Sequence, residues 1–259
     1  MPGDASYLEP MSDGARADGA ASLRSDVNGL AIVDSPALDR VLTAGVDLFY
    51  QSGFLATTIR QITGRCGMTA PAFYNHFESK EALLHRIIGD ANTLLEKRLE
   101  ALDLARASSA QALKMLVKTL VEFNLSWPKD ARIANREYAF LHAPLRDEVI
   151  THRRHVRALF ESVLGAADVP QGLLDTVPSR RARAMETRLL AISVINMCIT
   201  VPDWYHNEGP LSIEAVSDTS CRIALRMALL HDDAEPARRG PGPTGVTRSA
   251  SPRRKPGRA

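Results

Sequence analysis

The sequence predicts an all-α protein in which an N-terminal unit of three helices precedes a larger helical domain. Apolar residues recur at three- and four-residue spacing from about residue 36 to residue 230, which is the period of an amphipathic helix. Serine, threonine or proline stands before or at the start of most of these segments, where helix N-caps and first turns favour them. No run of alternating β-branched residues indicates a strand.

Composition and charge exclude several classes of protein. With 45% hydrophobic and 24% charged residues among 259, the chain can bury a sizeable core. The net charge of +2 does not by itself indicate a nucleic-acid partner. The three cysteines are far apart and form no Cys-x-x-Cys pair, so no metal site, cofactor or disulfide framework is expected.

The sequence also lacks the features of a secreted or membrane protein. No apolar segment follows a basic start at the N-terminus, so no signal peptide is predicted. The apolar run around residues 189–201 is interrupted by Ser193, Asn196 and Thr200, and we expect it to be too short and too polar to span a bilayer. A cytoplasmic protein without a membrane partner is the resulting expectation.

Composition divides the chain into four predicted segments. Residues 1–34 and 232–259 are predicted to be disordered tails, residues 35–84 form the three-helix unit, and residues 85–231 form the larger domain. Residues 237–259 carry seven basic residues and no acid, which is typical of a solvated tail. Such a tail can also hold DNA phosphates loosely.

Start and stop signals for each helix are visible in the chain. The first helix is predicted to start at Ser35-Pro36 and to stop at Ser52-Gly53, and the second to start at Thr57 or Thr58 and to stop at Gly67. The third is predicted to start at Thr69 and to stop at about His76, and the fourth to start at Ser79. The later helices are predicted from about residue 113 to Trp127-Pro128, from about 131 to 141, from Pro144 to Leu164 with Gly165 as a stop, over 179–201, and from Ser212 to about 230.

Residues 58–76 have the organisation of a helix-turn-helix motif, in which two short helices are joined by a turn that contains glycine. Gly67 is free to take a positive φ angle and so turns the chain sharply. Ile62 and Phe73 are then predicted to pack against Leu48 and Phe49 of the first helix. The second helix of the motif keeps one exposed face.

That exposed face explains the composition of MTAPAFYNHF, residues 68–77. The second helix of such a motif enters the DNA major groove by its N-terminal end, where small side chains allow a close approach to base edges. The residues with a predicted contact to DNA are Thr69, Ala70, Pro71, Tyr74, Asn75, His76 and Lys80. Phe73 and Phe77 are predicted to lie on the inner side.

The run GFLATTIRQITGRCGMTAPAFYNHFESKEALL, residues 53–84, resembles the DNA-binding signature of the TetR family of bacterial transcription regulators. The matching positions are Gly53-Phe54, Thr57-Thr58, Ile59, Cys66-Gly67, Tyr74-Asn75-His76-Phe77 and Lys80–Leu83. Thr63 and Cys66 depart from the family pattern, which has alanine at both places. Both side chains are small, so we expect the packing to survive.

The resemblance implies a ligand-responsive transcription regulator rather than an enzyme. Members of the TetR family bind a palindromic operator in double-stranded DNA as homodimers, most often as repressors. By this resemblance, the domain of residues 85–231 would bind an effector and dimerise. An activator, or a protein-interaction module without an effector, is the alternative. The resemblance adds Thr58 to the predicted DNA contacts, and Arg60 is predicted to face DNA with Arg65.

The charge of the predicted DNA-binding unit is not basic. Between residues 34 and 90 there are five arginine or lysine residues and six acids. Phosphate binding would therefore depend on the placement of single charges and on helix N-termini. This predicts a weak dependence of operator affinity on salt.

The effector pocket and the dimer interface are predicted in the C-terminal helices. The stretch WYHNEGPLSIEAV, residues 204–216, resembles a subgroup associated with lipid or steroid catabolism and acyl-CoA effectors; an aromatic or drug-like ligand is the alternative. The predicted pocket residues are Phe123, Trp127, Tyr138, His142, Asn196 and Met197. The predicted interface residues are Val194, Ile195, Ile199, Ile223, Leu225 and Leu229; the alternative is that they form only an internal core.

A cluster of histidines and arginines suggests two possible kinds of binding site. His152 and His155 lie three residues apart and, with His142, suggest a metal site, but the sequence places no carboxylate or thiol beside them. A solvated basic face is therefore predicted. Arg153, Arg154 and Arg157 are alternatively suited to pairing with an anionic effector such as a phosphate.

Overall fold

A computed structural model of the protein describes residue 23 and residues 35–167, 180–205 and 209–230. The regular structure in these ranges is helical, with no strand, as the sequence predicts. The α-helices are α1 (Pro36–Ala56), α2 (Ile59–Arg65), α3 (Ala70–Tyr74), α4 (Lys80–Glu100), α5 (Ser109–Ser126), α6 (Pro128–Arg136), α7 (Leu145–Ala166), α8 (Arg180–Ile199) and α9 (Ile213–Met227). Apart from Leu23, the two tails predicted to be disordered lie outside the described residues.

Local signals in the sequence position the first four helices. Ser35, Thr58, Thr69 and Ser79 each accept a hydrogen bond from a backbone N–H in the first turn of the helix that follows. Such a bond satisfies one of the unpaired N–H groups at a helix start. Gly53 has a φ of +78° and breaks the helical path of α1 at the predicted place.

Several helix boundaries differ from the prediction, among them the start of α5 at Ser109, four residues early, and the end of α9 at Met227, three residues early. Helix α6 begins at Pro128, three residues early, because proline suits the first position of a helix, and it continues as a 3-10 turn over Glu137–Phe140. Gly165 lies inside α7, which ends at Ala166. A glycine ends a helix through a positive φ angle, and Gly165 does not have one.

The apolar side chains form two hydrophobic cores. The first joins α1, α2 and α3 to α4 and α6, with Phe49, Ile62, Phe73 and Leu83 almost fully buried. The second lies among α5, α7, α8 and α9. Helix α4 contributes to both cores, and Leu95 packs against each of them. Any shift of α4 would therefore be felt in both parts of the molecule.

Helix α8 is long, apolar and little buried. By length and composition the stretch Arg180–Asp203 could cross a membrane, contrary to the expectation from sequence, and only 22% of its apolar window is buried inside the chain. Helices that pack in soluble proteins pass the same test. Met185 and Leu189, one turn apart, are 56% and 53% exposed. They form an apolar face that the described part of the chain does not cover.

The predicted interface residues divide into three groups. Val194 and Leu225 are buried, so they belong to the internal core and not to an outer face, because their helices pack onto α5 within the chain. Ile195 and Ile199 line a cavity described below. Only Ile223 and Leu229 are exposed among the six.

Candidate nucleic-acid interface and ligand cavity

The turn between α2 and α3 has the geometry of a helix-turn-helix motif. At the start of α2 the Thr58 N–H donates to Gln61 Oε1 at 2.8 Å, and the Gln61 N–H donates to Thr58 Oγ1 at 3.3 Å. This reciprocal pair fixes the direction of α2. Gly67 in the turn has a φ of +66°, a conformation that glycine adopts without steric cost.

Helix α3 buries one side and exposes its N-terminal tip. Phe73 is fully buried and contacts the Phe77 ring, with centroids 5.8 Å apart. Thr69 caps the helix through its hydroxyl, 3.4 Å from the Ala72 nitrogen. The side chains on the outer side are exposed: Thr69, Ala70, Pro71, Tyr74, Asn75 and His76. Six of the nine predicted DNA contacts thus share one outward-facing surface.

The other three predicted contacts, all outside α3, differ from one another. Thr58 and Arg60 are exposed. Lys80 Nζ instead donates to the carbonyl oxygens of Phe54 and Thr57, each at 2.6 Å, and lies 4.3 Å from the centre of the Phe54 ring. Burial lowers the pKa of the Lys80 ammonium. In this structure Lys80 therefore ties α4 to the end of α1, and its contact with phosphate stays a prediction.

Arg65, which the sequence predicts to face DNA, also has a partner within the chain. Its guanidinium lies 3.1 Å from Asp47, and Lys129 of α6 lies 2.7 Å from the other oxygen of the same carboxylate. The pairs join α1 to α2 and α6. They leave Arg60 as the more accessible of these two arginines for a phosphate.

The segment after α6 contacts the end of α1. Glu137 Oε2 accepts a hydrogen bond from the Phe54 N–H at 3.2 Å, and the Phe140 ring stacks on the Phe54 ring with centroids 6.0 Å apart. Phe54 directly follows the helix break at Gly53. The 3-10 turn Glu137–Phe140, which we call the coupling turn, therefore holds the chain immediately before the helix-turn-helix motif.

His142, a predicted pocket residue, lies at a second contact between the two parts of the molecule. Its backbone N–H and its Nδ1 both approach Glu81 Oε1 at the start of α4, and the imidazole is largely exposed. The His142 N–H bond is the largest cause of the lowered pKa of Glu81. His142 thus connects the start of α4 to the segment before α7, and it is not among the residues that line the cavity described below.

A cavity of about 200 Å³ lies between α4, α5, α6, α7 and α8. Its apolar wall consists of Leu95, Leu120, Val156, Ile192, Ile195 and Ile199. Its polar wall consists of Asn92, Glu96, Asn135, His152, Arg153, Arg157 and Asn196. Of the six pocket residues predicted from the sequence, only Asn196 lines it.

The remaining predicted pocket residues lie elsewhere. Phe123 and Trp127 are buried against each other in the first core, with ring centroids 5.3 Å apart, because their helix ends there against α1 and α6. Met197 packs against the second core. Tyr138 lies next to the cavity, beneath the guanidinium of Arg153 at 4.4 Å. The sequence feature that does indicate the cavity wall is the arginine and histidine pattern of α7.

Tertiary packing gives the histidines of α7 a carboxylate neighbour that the sequence did not reveal. Glu96 of α4 lies 3.3 Å from His152 Nδ1 and 3.9 Å from His155 Nε2. Across the described part of the chain, no group of three histidine, cysteine or acidic side chains is placed to hold a metal ion. The cluster is a set of polar contacts between α4 and α7.

The buried cysteines have no reactive character. Burial raises the pKa of Cys198, and raises the pKa of Cys221 to about 11. Both thiols therefore remain protonated near neutral pH and pack as small apolar side chains.

Two family models match the chain over separate regions. The model for bacterial regulatory proteins of the tetR family matches residues 41–87, and the model for a tetracyclin repressor-like C-terminal domain matches residues 106–228. The first region contains the whole helix-turn-helix motif. The second contains most of the cavity wall and helices α5 to α9.

Individual relatives agree with these matches. The HTH-type transcriptional regulator YerO of Bacillus subtilis (strain 168) is 50% identical over 46 residues, which are 18% of this chain and 16% of YerO. The chain therefore aligns with less than a fifth of that relative's length. A bacterial regulatory protein in the tetR family from Rhodococcus RHA1 has a TM-score of 0.65 and 22% identity, over 77% of this chain and 100% of its own.

A second solved structure is AibR in complex with isovaleryl coenzyme A and operator DNA. It has a TM-score of 0.60 and 21% identity, over 72% of this chain and 97% of AibR. At these identities the two structural likenesses show a shared fold.

Proposed function

The chain belongs to the TetR family of bacterial regulatory proteins and is a helix-turn-helix transcriptional regulator; we propose that it is a repressor that binds a palindromic operator as a homodimer and is released by a small-molecule effector. The single observation that carries this proposal is the geometry of α3. Its small-residue tip is exposed while Phe73 anchors it from behind. A helix held in this way can enter a major groove end-first.

Named residues have separate roles in the proposed complex with DNA. Ala70 and Pro71 approach base edges, and Thr69 and Asn75 donate or accept hydrogen bonds there. Tyr74, His76, Thr58 and Arg60 contact phosphates, which position the helix without reading sequence. Lys80 acts from behind, by holding the end of α1 through two carbonyl groups.

Gel-shift titration on the promoter region of the protein's own gene tests this function. We expect a specific complex that persists in excess unrelated DNA. Because few unpaired basic side chains face outward, the salt dependence should correspond to fewer than about ten phosphate contacts per dimer. A steeper slope would contradict the assigned contact set, and the absence of any specific shift would favour the alternative of a protein-interaction module.

The proposed homodimer uses the uncovered apolar face of α8. Met185 and Leu189 are more than half exposed, and Ile223 of α9 is 41% exposed. Two copies packing α8 and α9 together would form a four-helix interface with two-fold symmetry. This arrangement would place two copies of α3 so that they reach major grooves one DNA turn apart, about 34–36 Å.

The proposed effector is a small apolar or acyl-CoA-type molecule bound in the cavity. AibR, with which this chain shares its fold, was solved with both isovaleryl coenzyme A and operator DNA. A ligand changes operator affinity only through different affinities for two conformations of the protein. Helix α4 lines the cavity at Asn92, Leu95 and Glu96 and begins at Lys80, so it connects the ligand to the end of α1.

The coupling turn offers a second connection between the cavity and the end of α1, which hydrogen exchange can test. Replacing Glu137 with alanine removes the acceptor of the Phe54 N–H. A hydrogen bond to a charged group contributes about 1.5–3 kcal/mol, so exchange at Phe54 should accelerate by about tenfold or more. The measurement is hydrogen–deuterium exchange of a peptide containing Phe54.

Glu148→Ala is the matched control for this experiment. Glu148 pairs with His85 at 3.0 Å and is largely exposed, but does not contact Phe54. The Glu148→Ala variant should leave hydrogen exchange at Phe54 unchanged. Equal exchange in both variants and in the unaltered protein would show that the coupling turn does not hold the end of α1.

A further inference from the structure

The cavity is lined by more guanidinium groups than carboxylates. Two guanidinium groups, Arg153 and Arg157, line it together with one carboxylate, Glu96. Glu96 is held by the two histidines of α7. Arg157 Nε lies 2.9 Å from Glu161 Oε1, so the two side chains form an ion pair, although these two atoms do not form a hydrogen bond with each other. Arg153 has no carboxylate within ion-pair distance among the described residues.

Among the described residues, the groups that hold Arg153 are uncharged. Its Nη1 is 3.5 Å from Asn135 Oδ1, at the limit of a hydrogen bond, and its guanidinium lies over the Tyr138 ring. Asn92, which also lines the cavity, has its Nδ2 buried without a hydrogen-bond partner among the described residues. A half-buried cation and an unpaired N–H donor at one cavity both favour a ligand that carries negatively charged acceptor oxygens.

Size and wall chemistry limit the rest of the ligand. An apolar cavity of about 150 Å³ holds benzene, so a cavity of about 200 Å³ holds a hydrocarbon body only slightly larger. Six aliphatic side chains would surround that body. A long acyl chain or the nucleotide part of coenzyme A would extend beyond this volume.

We propose that the cavity binds a compact organic acid, with its carboxylate on Arg153 and Asn92 and a branched or cyclic hydrocarbon body against the aliphatic wall. The assignment rests on the proposed function, because it names the effector class of the same regulator. It also names the first step of release. A carboxylate draws Arg153 away from Asn135 and Tyr138, and Tyr138 belongs to the coupling turn that holds Phe54.

Isothermal titration calorimetry on the full chain tests the assignment with three acids and their amides. The probes are benzoate, isovalerate and cyclohexanecarboxylate, each compared with benzamide, isovaleramide and cyclohexanecarboxamide at pH 7.5. We expect at least one acid to bind, and to bind about 10- to 100-fold more tightly than its amide, as the loss of a hydrogen bond to a charged group predicts.

Two arginine variants locate the carboxylate. Arg153→Gln should weaken binding of that acid by about tenfold or more. Arg154→Gln, on the exposed side of the same helix, removes the same charge and should leave binding unchanged. Equal effects of the two variants would overturn the assignment of Arg153.

Three other results would overturn the compact-acid assignment: no binding by any of the three acids at millimolar concentration, equal binding of acids and amides, or binding of isovaleryl coenzyme A alone. The last result would leave the proposed function standing. Gel shifts with the same preparations separate the two failures. Protein that shifts its operator but binds no acid contradicts only the ligand class, whereas protein that shifts no DNA contradicts the repressor itself.

Discussion

Phe73→Ala should destabilise the protein by about 3–5 kcal/mol and abolish operator binding, because a fully buried aromatic side chain would leave a cavity behind α3. The ring also contacts Phe77 and Tyr74, so its loss removes the support of the exposed tip. Urea titration gives the change in stability, and a gel shift gives the change in operator affinity.

Tyr74→Phe is the control that separates folding from DNA contact. Tyr74 is 54% exposed, and its ring meets the Phe73 ring edge-on at 5.5 Å, a contact that phenylalanine retains. Stability should therefore be unchanged. Operator affinity should fall by about tenfold or more, because each subunit loses a hydrogen bond to a charged phosphate. Unchanged affinity would remove Tyr74 from the DNA contacts, and a large loss of stability would mean that its hydroxyl has a structural role.

Leu189→Glu should convert the proposed dimer to a monomer and weaken operator binding by about 10²- to 10⁴-fold. A charge at the centre of the uncovered α8 face is costly to bury between two subunits. A single subunit reaches only one half-site, so the gain from simultaneous binding at two half-sites is lost. Sedimentation velocity measures the assembly state, and a gel shift measures the affinity.

Leu55→Glu is the matched control for the change of assembly state. Leu55 is 69% exposed on α1, in the N-terminal unit, and the substitution introduces the same charge in place of the same side chain. This variant should still sediment as a dimer. A Leu189→Glu protein that also remains a dimer would place the interface elsewhere, and a monomeric unaltered protein would contradict the proposed assembly.

Prediction from sequence was most successful where the signal is local. Ser35, Thr58, Thr69 and Ser79 bond to N–H groups only three residues away, so the chain order alone predicts them. The same holds for the turn at Gly67, since only glycine adopts its φ angle readily. These signals together predicted the helix-turn-helix motif and its exposed tip.

Prediction was least successful for the cavity. Aromatic residues such as Phe123 and Trp127 are plausible pocket walls, but their burial depends on where α5 ends relative to α1 and α6. The actual wall uses Asn92 and Glu96 of α4 and Arg153 of α7. Nothing in the sequence near these residues indicates that they face one another.

The sequence by itself therefore determined the helical class, the position of the helix-turn-helix motif and the identity of its exposed residues, because each follows from contacts within one or two helical turns. Tertiary structure alone decided that Lys80 turns inward to two carbonyl groups, that Glu137 holds Phe54, and that Arg153 faces a cavity without a carboxylate partner among the described residues. These three facts join residues that are 23 or more positions apart or lie on separate helices. Helix packing, which no local pattern encodes, brings such residues together.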